Sequence, residues 1–157
     1  EMDDFTSKPG APNLYGLLQS SANAIQPGKR PLSAMTPTIV LRDNKPYMVL
    51  GAPGGPRIVT SVLQTLLNVI DFRMNIQDAV DAPRFHHQWM PDKLYLEQGI
   101  APATVTRLKA LGHDVEYSPG VVLARVDDVI GGQHCLVIML DDDHGVALIA
   151  QVLKAAE

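Results

Sequence analysis

The sequence predicts an α/β (α+β) domain, a mixed sheet with helices packed on it rather than a regular strand–helix alternation. Three observations carry that expectation. Short apolar runs at 38–51 and 94–97 read as strands, whereas the apolar residues from Ile58 to Ile70 recur at helical spacing. The resulting order is loop, two strands, two helices, strand, helix, strands. Finally, 46% hydrophobic and 19% charged residues in 157 positions suit one domain with a real core, not a disordered chain.

Residues 1–30 hold little periodicity. Lys8-Pro9-Gly10-Ala11-Pro12-Asn13 and Gln26-Pro27-Gly28 are breaker clusters, so this arm is expected to be mostly loop. A loop that long is usually functional or covers a partner. Asp3-Asp4 reads either as a solvated acidic pair or as a site for a cation.

Thr38–Arg42 and Tyr47–Gly51 read as two strands joined by a turn at Asp43-Asn44-Lys45-Pro46. Gly51-Ala52-Pro53-Gly54-Gly55-Pro56-Arg57 then opens into a helix over 56–71, with Pro56 in the first turn, where proline is tolerated. Ile58, Val59, Val62, Leu63, Leu66, Leu67 and Ile70 form its apolar face. Thr60, Ser61, Gln64 and Asn68 fill the other without a charge, so most of the helix surface is expected to be buried. Paired glycines at a helix start let a ligand oxygen approach backbone N–H groups in a favourable dipole, which suits an oxyanion or a carboxylate. A plain strand–turn–helix corner has the same local pattern.

Asn75 to Asp81 reads as a short helix capped by Asn75 and ended before Pro83. His86 and His87 follow; neighbours on a strand point to opposite faces, so they do not share one ion, and hydrogen-bonded, partly buried histidines are expected instead of a metal site. Leu94–Glu97 is a strand and Ala101–Leu111 an amphipathic helix closed by Gly112. Val115–Tyr117 and Val121–Val126 are further strands. His134–Leu140 and Val146–Ile149 would pair around the polar turn Asp141-Asp142-Asp143-His144-Gly145, which lacks the spacing of a calcium loop.

Charge and cysteine content exclude several classes. A net charge of −4 and a pI of about 5.7 with no basic patch argue against nucleic acid or an anionic membrane as partner. No apolar run approaches the length of a membrane span. The single Cys135 excludes an internal disulfide and a thiolate metal cluster, and its apolar surroundings read as packing, not as a nucleophile. The chain opens Glu1-Met2-Asp3-Asp4, with neither an initiating Met nor a signal peptide, which reads as a processed or trimmed product.

Five stretches stand in one order: Met2-Asp3-Asp4-Phe5, Lys29-Arg30-Pro31-Leu32-Ser33, Thr36-Pro37-Thr38-Ile39-Val40, Gly51-Ala52-Pro53-Gly54-Gly55 and Asp81-Ala82-Pro83-Arg84-Phe85-His86-His87-Gln88-Trp89. Together they closely resemble the small (C-terminal) subunit of bacterial γ-glutamyltranspeptidases, over about residues 1–117. The resemblance implies part of an αββα N-terminal-nucleophile hydrolase sandwich. It implies one domain over 1–157, with a substrate-binding arm at 1–30, a strand–helix core at 31–117 and diverged terminal strands at 118–157. It implies cleavage of γ-glutamyl amides such as glutathione, with the acyl group passed to water or an amino acid, and no cofactor.

The same resemblance assigns residues. Asp4 and Glu1 bind the substrate α-ammonium, Ser33 donates to the α-carboxylate, and the Gly54 and Gly55 amides form the oxyanion hole. Arg30 and Arg57 are expected in structural ion pairs. Two departures accompany these. The family's second hydroxyl beside Ser33 is Ala34 here, which removes a donor. The nucleophilic Thr, whose own α-amine is the base, falls upstream of Glu1, and Thr6 does not match its position. The residues after 117 also depart from the family's ending. The expectations are therefore a partner chain or segment carrying that Thr, or a homo-oligomer through unpaired strand edges, an inactive isolated chain, and a periplasmic or secreted location. A related acylase for glutaryl-type side chains, or a non-catalytic scaffold, remain as alternatives.

Overall fold

A computed structural model describes residues 4–33, 35–52 and 54–117, and the backbone of 136–139. The expectations for Glu1, Ala34, Cys135, Val121–Val126, Val146–Ile149 and the 141–145 turn lie outside the described residues.

Among the described residues, two three-stranded sheets are built around one helix. In the first, β1 (Thr38–Arg42) and β2 (Lys45–Gly51) form an antiparallel hairpin, and β6 (Leu136–Met139) pairs antiparallel on the far side of β2. The hairpin turn is tighter than the sequence suggested. Asp43 and Asn44 alone make it, with φ of 52° and 63°, the left-handed pair that a two-residue turn requires and that Asp and Asn tolerate. Lys45 and Pro46 already lie in β2. The register shifts between Val40 and Leu41, opposite Pro46, which has no N–H to give the ladder.

The second sheet orders β3 (Phe85–His86), β4 (Leu94–Leu96) and β5 (Val115–Tyr117), antiparallel then parallel. The parallel step is made through α3 (Pro102–Ala110). Gly112, at φ 97°, ends α3 with bonds from Gly112 N to Lys109 O and from His113 N to Leu108 O, as the glycine in the sequence implied.

Between the sheets runs α1 (Ile58–Ile70), entered through a 3₁₀ turn at Gly55–Arg57 with Pro56 in its first positions. Its Ile58, Val62 and Val69 join Met48 and Leu50 of β2 and Ala79 and Val80 of α2 (Ile76–Asp81) in the main core. Full burial of side chains such as Met48 and Leu50 contributes about 2–3 kcal/mol each. The Asn75 side chain accepts from Asp78 N and starts α2 as expected. A smaller cluster of Leu94, Leu96 and Val105 seats α3 on the second sheet.

The polar face of α1 joins the two halves. Gln64 donates to Phe85 O at 2.8 Å and accepts from Phe85 N at 3.0 Å, so its amide acts as a strand neighbour to β3. One turn either side, Thr60 reaches His86 and Asn68 donates to Ala79 O. The expectation of a helix buried over most of its surface needs correction. Val59, Leu63, Leu67 and Ile70 are exposed, because the hairpin takes the Ile58–Val62–Val69 side and the second sheet the polar side. Ile39 and Leu41 of β1 are exposed as well.

A partly buried ion pair escaped the sequence reading. Arg84 Nε meets Glu97 Oε1 at 3.3 Å, Arg84 N donates to Glu97 Oε2 at 2.9 Å, and Arg84 Nη1 donates to Val80 O at 2.9 Å. It pins the end of α2 to the residue just after β4. Arg30 and Arg57 have no ion pair among the described residues, contrary to expectation. Arg57 instead holds its guanidinium over the Tyr95 ring, 5.2 Å from the centroid.

Candidate functional site

The arm at 4–24 is irregular, as its breakers imply, but it is held by side-chain-to-backbone bonds. Gln19 Oε1 accepts from Ser7 N and Lys8 N, and Asn13 Oδ1 accepts from Tyr15 N and Leu17 N. Backbone bonds from Gly10 N to Gln19 O and from Asn13 N to Leu17 O close it into a narrow loop with Tyr15 and Gly16 at the tip. The Thr6 hydroxyl donates to Ser20 O at 2.7 Å and is buried.

Asp4 and the segment leading to Ser33 meet at one side chain. Asn23 Nδ2 donates to Asp4 O at 2.8 Å, and Asn23 Oδ1 accepts from Leu32 N at 2.8 Å. Both Asp4 and Ser33 are exposed. Ser33 Oγ accepts from Met35 N at 3.3 Å, a long contact that leaves its hydroxyl proton for another acceptor. Asn23 thus ties the backbone of Asp4 to that of Leu32, the residue before Ser33.

Gly54 and Gly55 stand at the corner between β2 and α1, with φ of 125° and 57°. Both values lie where side chains are disfavoured, which is the physical reason for the glycine pair. Neither amide donates to an acceptor among the described residues, and the helix start adds its own positive end. The Tyr15 ring packs directly on Gly55: a Cβ there would stand 2.5 Å from Tyr15 Cζ. The loop tip therefore closes one side of the glycine corner.

Behind that contact lies a polar chain absent from the sequence reading. Gln88 Nε2 donates to Tyr15 O at 2.5 Å and to Met90 O at 2.9 Å, while Gln88 Oε1 meets His86 Nε2 at 2.9 Å. His86 Nδ1 meets Thr60 Oγ1 at 2.8 Å. Burial holds the His86 pKa below the ordinary histidine range; the Gln88 bond opposes this, and the positive charges of Arg57 and His87 add to it. His86 is buried and His87 is exposed toward Asp92, so the adjacent histidines do point apart. Gln88 sits inside a quoted motif, but its partner Tyr15 lies 73 residues away, and no local pattern links them. A cavity of about 1050 Å³ lined by Arg42, Tyr47 and Arg73 lies at the far end of α1, roughly 20 Å along the helix from the glycine corner.

Among the described residues no three His, Cys, Asp or Glu side chains come together to hold a metal ion, and no helix is long and apolar enough to cross a membrane.

The helix-bearing mixed sheets are part of the N-terminal-nucleophile hydrolase fold. A mutant of Helicobacter pylori gamma-glutamyltranspeptidase superposes with a TM-score of 0.79 at 45% identity, over 94% of this chain and 74% of that one. The enzyme from Pseudomonas nitroreducens does so with a TM-score of 0.73 at 41% identity, over 90% and 70%. The profile of the gamma-glutamyltranspeptidase family matches residues 1–143, and the chain belongs to that family. The match runs past residue 117, where the motif resemblance stopped. The glutathione hydrolase proenzyme of Escherichia coli (strain K12) is 55% identical over 115 residues, and that of Pseudomonas sp. (strain A14) 59% over 113. These stretches are 73% and 71% of this chain but 20% of each relative, so the chain spans about a fifth of their length.

Proposed function

We propose that this chain is the substrate-binding and oxyanion-stabilising portion of a γ-glutamyltransferase/glutathione hydrolase, completed by a segment or partner chain that carries a nucleophilic Thr. The glycine corner carries the reading: two unengaged amides at a helix start, in a backbone shape only glycine adopts freely, walled by Tyr15. The exposed Val59, Leu63, Leu67 and Ile70 stripe and the Ile39–Leu41 face support a completing segment, since apolar faces of that kind are normally covered.

In this reading the substrate α-ammonium sits against Asp4 and Glu1, and Ser33 donates to the α-carboxylate. The Thr hydroxyl attacks the γ-carbonyl carbon while its α-amine takes the proton. The carbonyl oxygen gains the negative charge and receives the Gly54 and Gly55 N–H groups. Collapse of the adduct breaks the amide C–N bond, and the leaving amine takes the proton back. An ester to Thr remains, and water or an amino acid amine then attacks it. Ala34 offers no second hydroxyl to the carboxylate, so Ser33 carries that contact from this pair alone. A periplasmic or secreted location goes with the family reading.

Intact mass and N-terminal sequencing of all that co-purifies, with a γ-glutamyl-p-nitroanilide assay on the same sample, tests this. A Thr-initiated species with turnover abolished by Gly54→Pro is the expected result, and the isolated chain is expected to be silent. Turnover by the chain alone, or turnover indifferent to Gly54→Pro, would refute it.

A further inference from the structure

We propose that Gln88 is a positioning residue for the glycine corner, holding the Tyr15 tip at a fixed depth against Gly55, with His86 holding Gln88. The argument is one of hydrogen-bond accounting. Gln88 Nε2 spends both protons on carbonyls, Tyr15 O at 2.5 Å and Met90 O at 2.9 Å. That fixes which end of the amide is oxygen, so Oε1 is the atom 2.9 Å from His86 Nε2 and needs a donor. His86 therefore carries its proton on Nε2, and Nδ1 accepts from the Thr60 hydroxyl at 2.8 Å. The Arg57 carbonyl, also within reach of Thr60, keeps a donor in Ser61 Oγ at 2.9 Å. Every member is satisfied with a neutral ring, in agreement with burial lowering the His86 pKa.

A second contact acts at the same place. Gly16 lies against Pro91: a Cβ on Gly16 would stand 2.8 Å from Pro91 Cδ. The tip is thus held by a bond to the Tyr15 carbonyl and by a close packing contact one residue on, both from the 88–91 segment. Because Thr60 belongs to α1, whose start carries Gly55, the relay measures the tip against the same helix that presents the corner. Loss of the tether leaves the fold intact and lets the Tyr15 ring drift from Gly55. The proposal rests on the reading that the Gly54 and Gly55 amides receive the developing oxyanion. A misplaced wall there acts on the transition state more than on ground-state binding.

The test uses Gln88→Met, which keeps the volume and loses all three bonds, and Gln88→Glu, which keeps only an acceptor for His86. Amide exchange at 15–17 in the 157-residue chain is expected to rise about tenfold in both, with α1 and β4 unchanged as the folding control. Nitrogen-15 shifts of wild-type His86 are expected to show the Nε2–H tautomer. In the assembled enzyme kcat is expected to fall about tenfold, with KM within about twofold. Unchanged exchange at 15–17, or an Nδ1–H tautomer, overturns the tether. Faster exchange with kcat unmoved overturns the positioning role. The exchange and nitrogen shifts need no turnover, so they judge the tether even where wild-type enzyme fails the γ-glutamyl assay and the functional reading falls.

Discussion

Gly55→Ala puts the glycine corner under direct load. The new Cβ would stand 2.5 Å from Tyr15 Cζ, 2.6 Å from Cε2 and 2.7 Å from Oη. Carbon atoms settle about 3.5–4.0 Å apart, so the ring or the corner must retreat by about 1 Å. The left-handed backbone at φ 57° adds about 1–2 kcal/mol for a residue with a Cβ. Overpacking adds about 1–3 kcal/mol, because the tip is tied through Asn13 and Gln88 and cannot simply swing away. Together these predict a stability loss of about 2–5 kcal/mol by urea denaturation. A 1 Å misplacement at a reacting centre costs about a hundredfold, which sets the expected fall in kcat/KM for γ-glutamyl-p-nitroanilide in the assembled enzyme. Gly55→Ala/Tyr15→Ala removes the collision and leaves the backbone cost, so it should recover about 1 kcal/mol or more over Gly55→Ala alone. A Gly55→Ala enzyme within about threefold of wild type, with no recovery in the double variant, would refute the reasoning.

Four further outcomes are expected. Arg84→Met should cost about 2–3 kcal/mol, less than for a fully buried pair because Glu97 keeps some solvent and the Arg84 backbone donor, and Glu97→Gln in the same chain should return part of it; urea midpoints for the four members of that cycle decide. Asn23→Ala should separate Asp4 from the Ser33 segment and raise KM for γ-glutamyl substrates with kcat little changed, whereas a kcat effect alone would count against a binding role. Asp4→Asn should weaken γ-glutamyl substrates and spare glutaryl ones that lack the ammonium; equal loss on both contradicts the assignment. Because the folded chain lowers the His86 pKa, His86 supports the fold fully above the unfolded histidine value of about 6.5 and progressively less as pH falls from there toward the lower folded value. The urea midpoint should drop between neutral and mildly acid pH, with a smaller drop in His86→Gln; parallel curves would exclude His86 as the cause.

The helices and strands were legible where local chemistry set them. Asn75 announces α2, Gly112 closes α3, and the apolar rhythm from Ile58 to Ile70 marks α1. The turn at Asp43-Asn44 was legible as a turn but not as a two-residue one, since Pro46 reads as a breaker and yet suits a bulged strand. The faces of α1 were the main error. Polar residues there are engaged by β3 and α2 while Leu63 and Ile70 stay exposed, and hydrophobic spacing does not say which neighbours exist. In the candidate site, the glycine pair and its helix were visible because backbone geometry writes itself locally. The Gln88–Tyr15 and Asn23–Asp4 contacts were not, because they join distant segments through single polar side chains. The Arg84–Glu97 pair was hidden for the same reason.

Gln64 makes the distance between α1 and β3 a fixed length. Its amide both gives and takes a bond with the Phe85 backbone, so the side chain works as a spacer cut to one size. Asn is too short by one methylene to span the same gap, and Glu has the reach but no proton for Phe85 O. Few substitutions preserve both bonds. The neighbouring residue on β3 is His86, and the helix being gauged is entered through the turn at Gly55. A variant library aimed at moving α1 relative to β3 would therefore find little slack at this position.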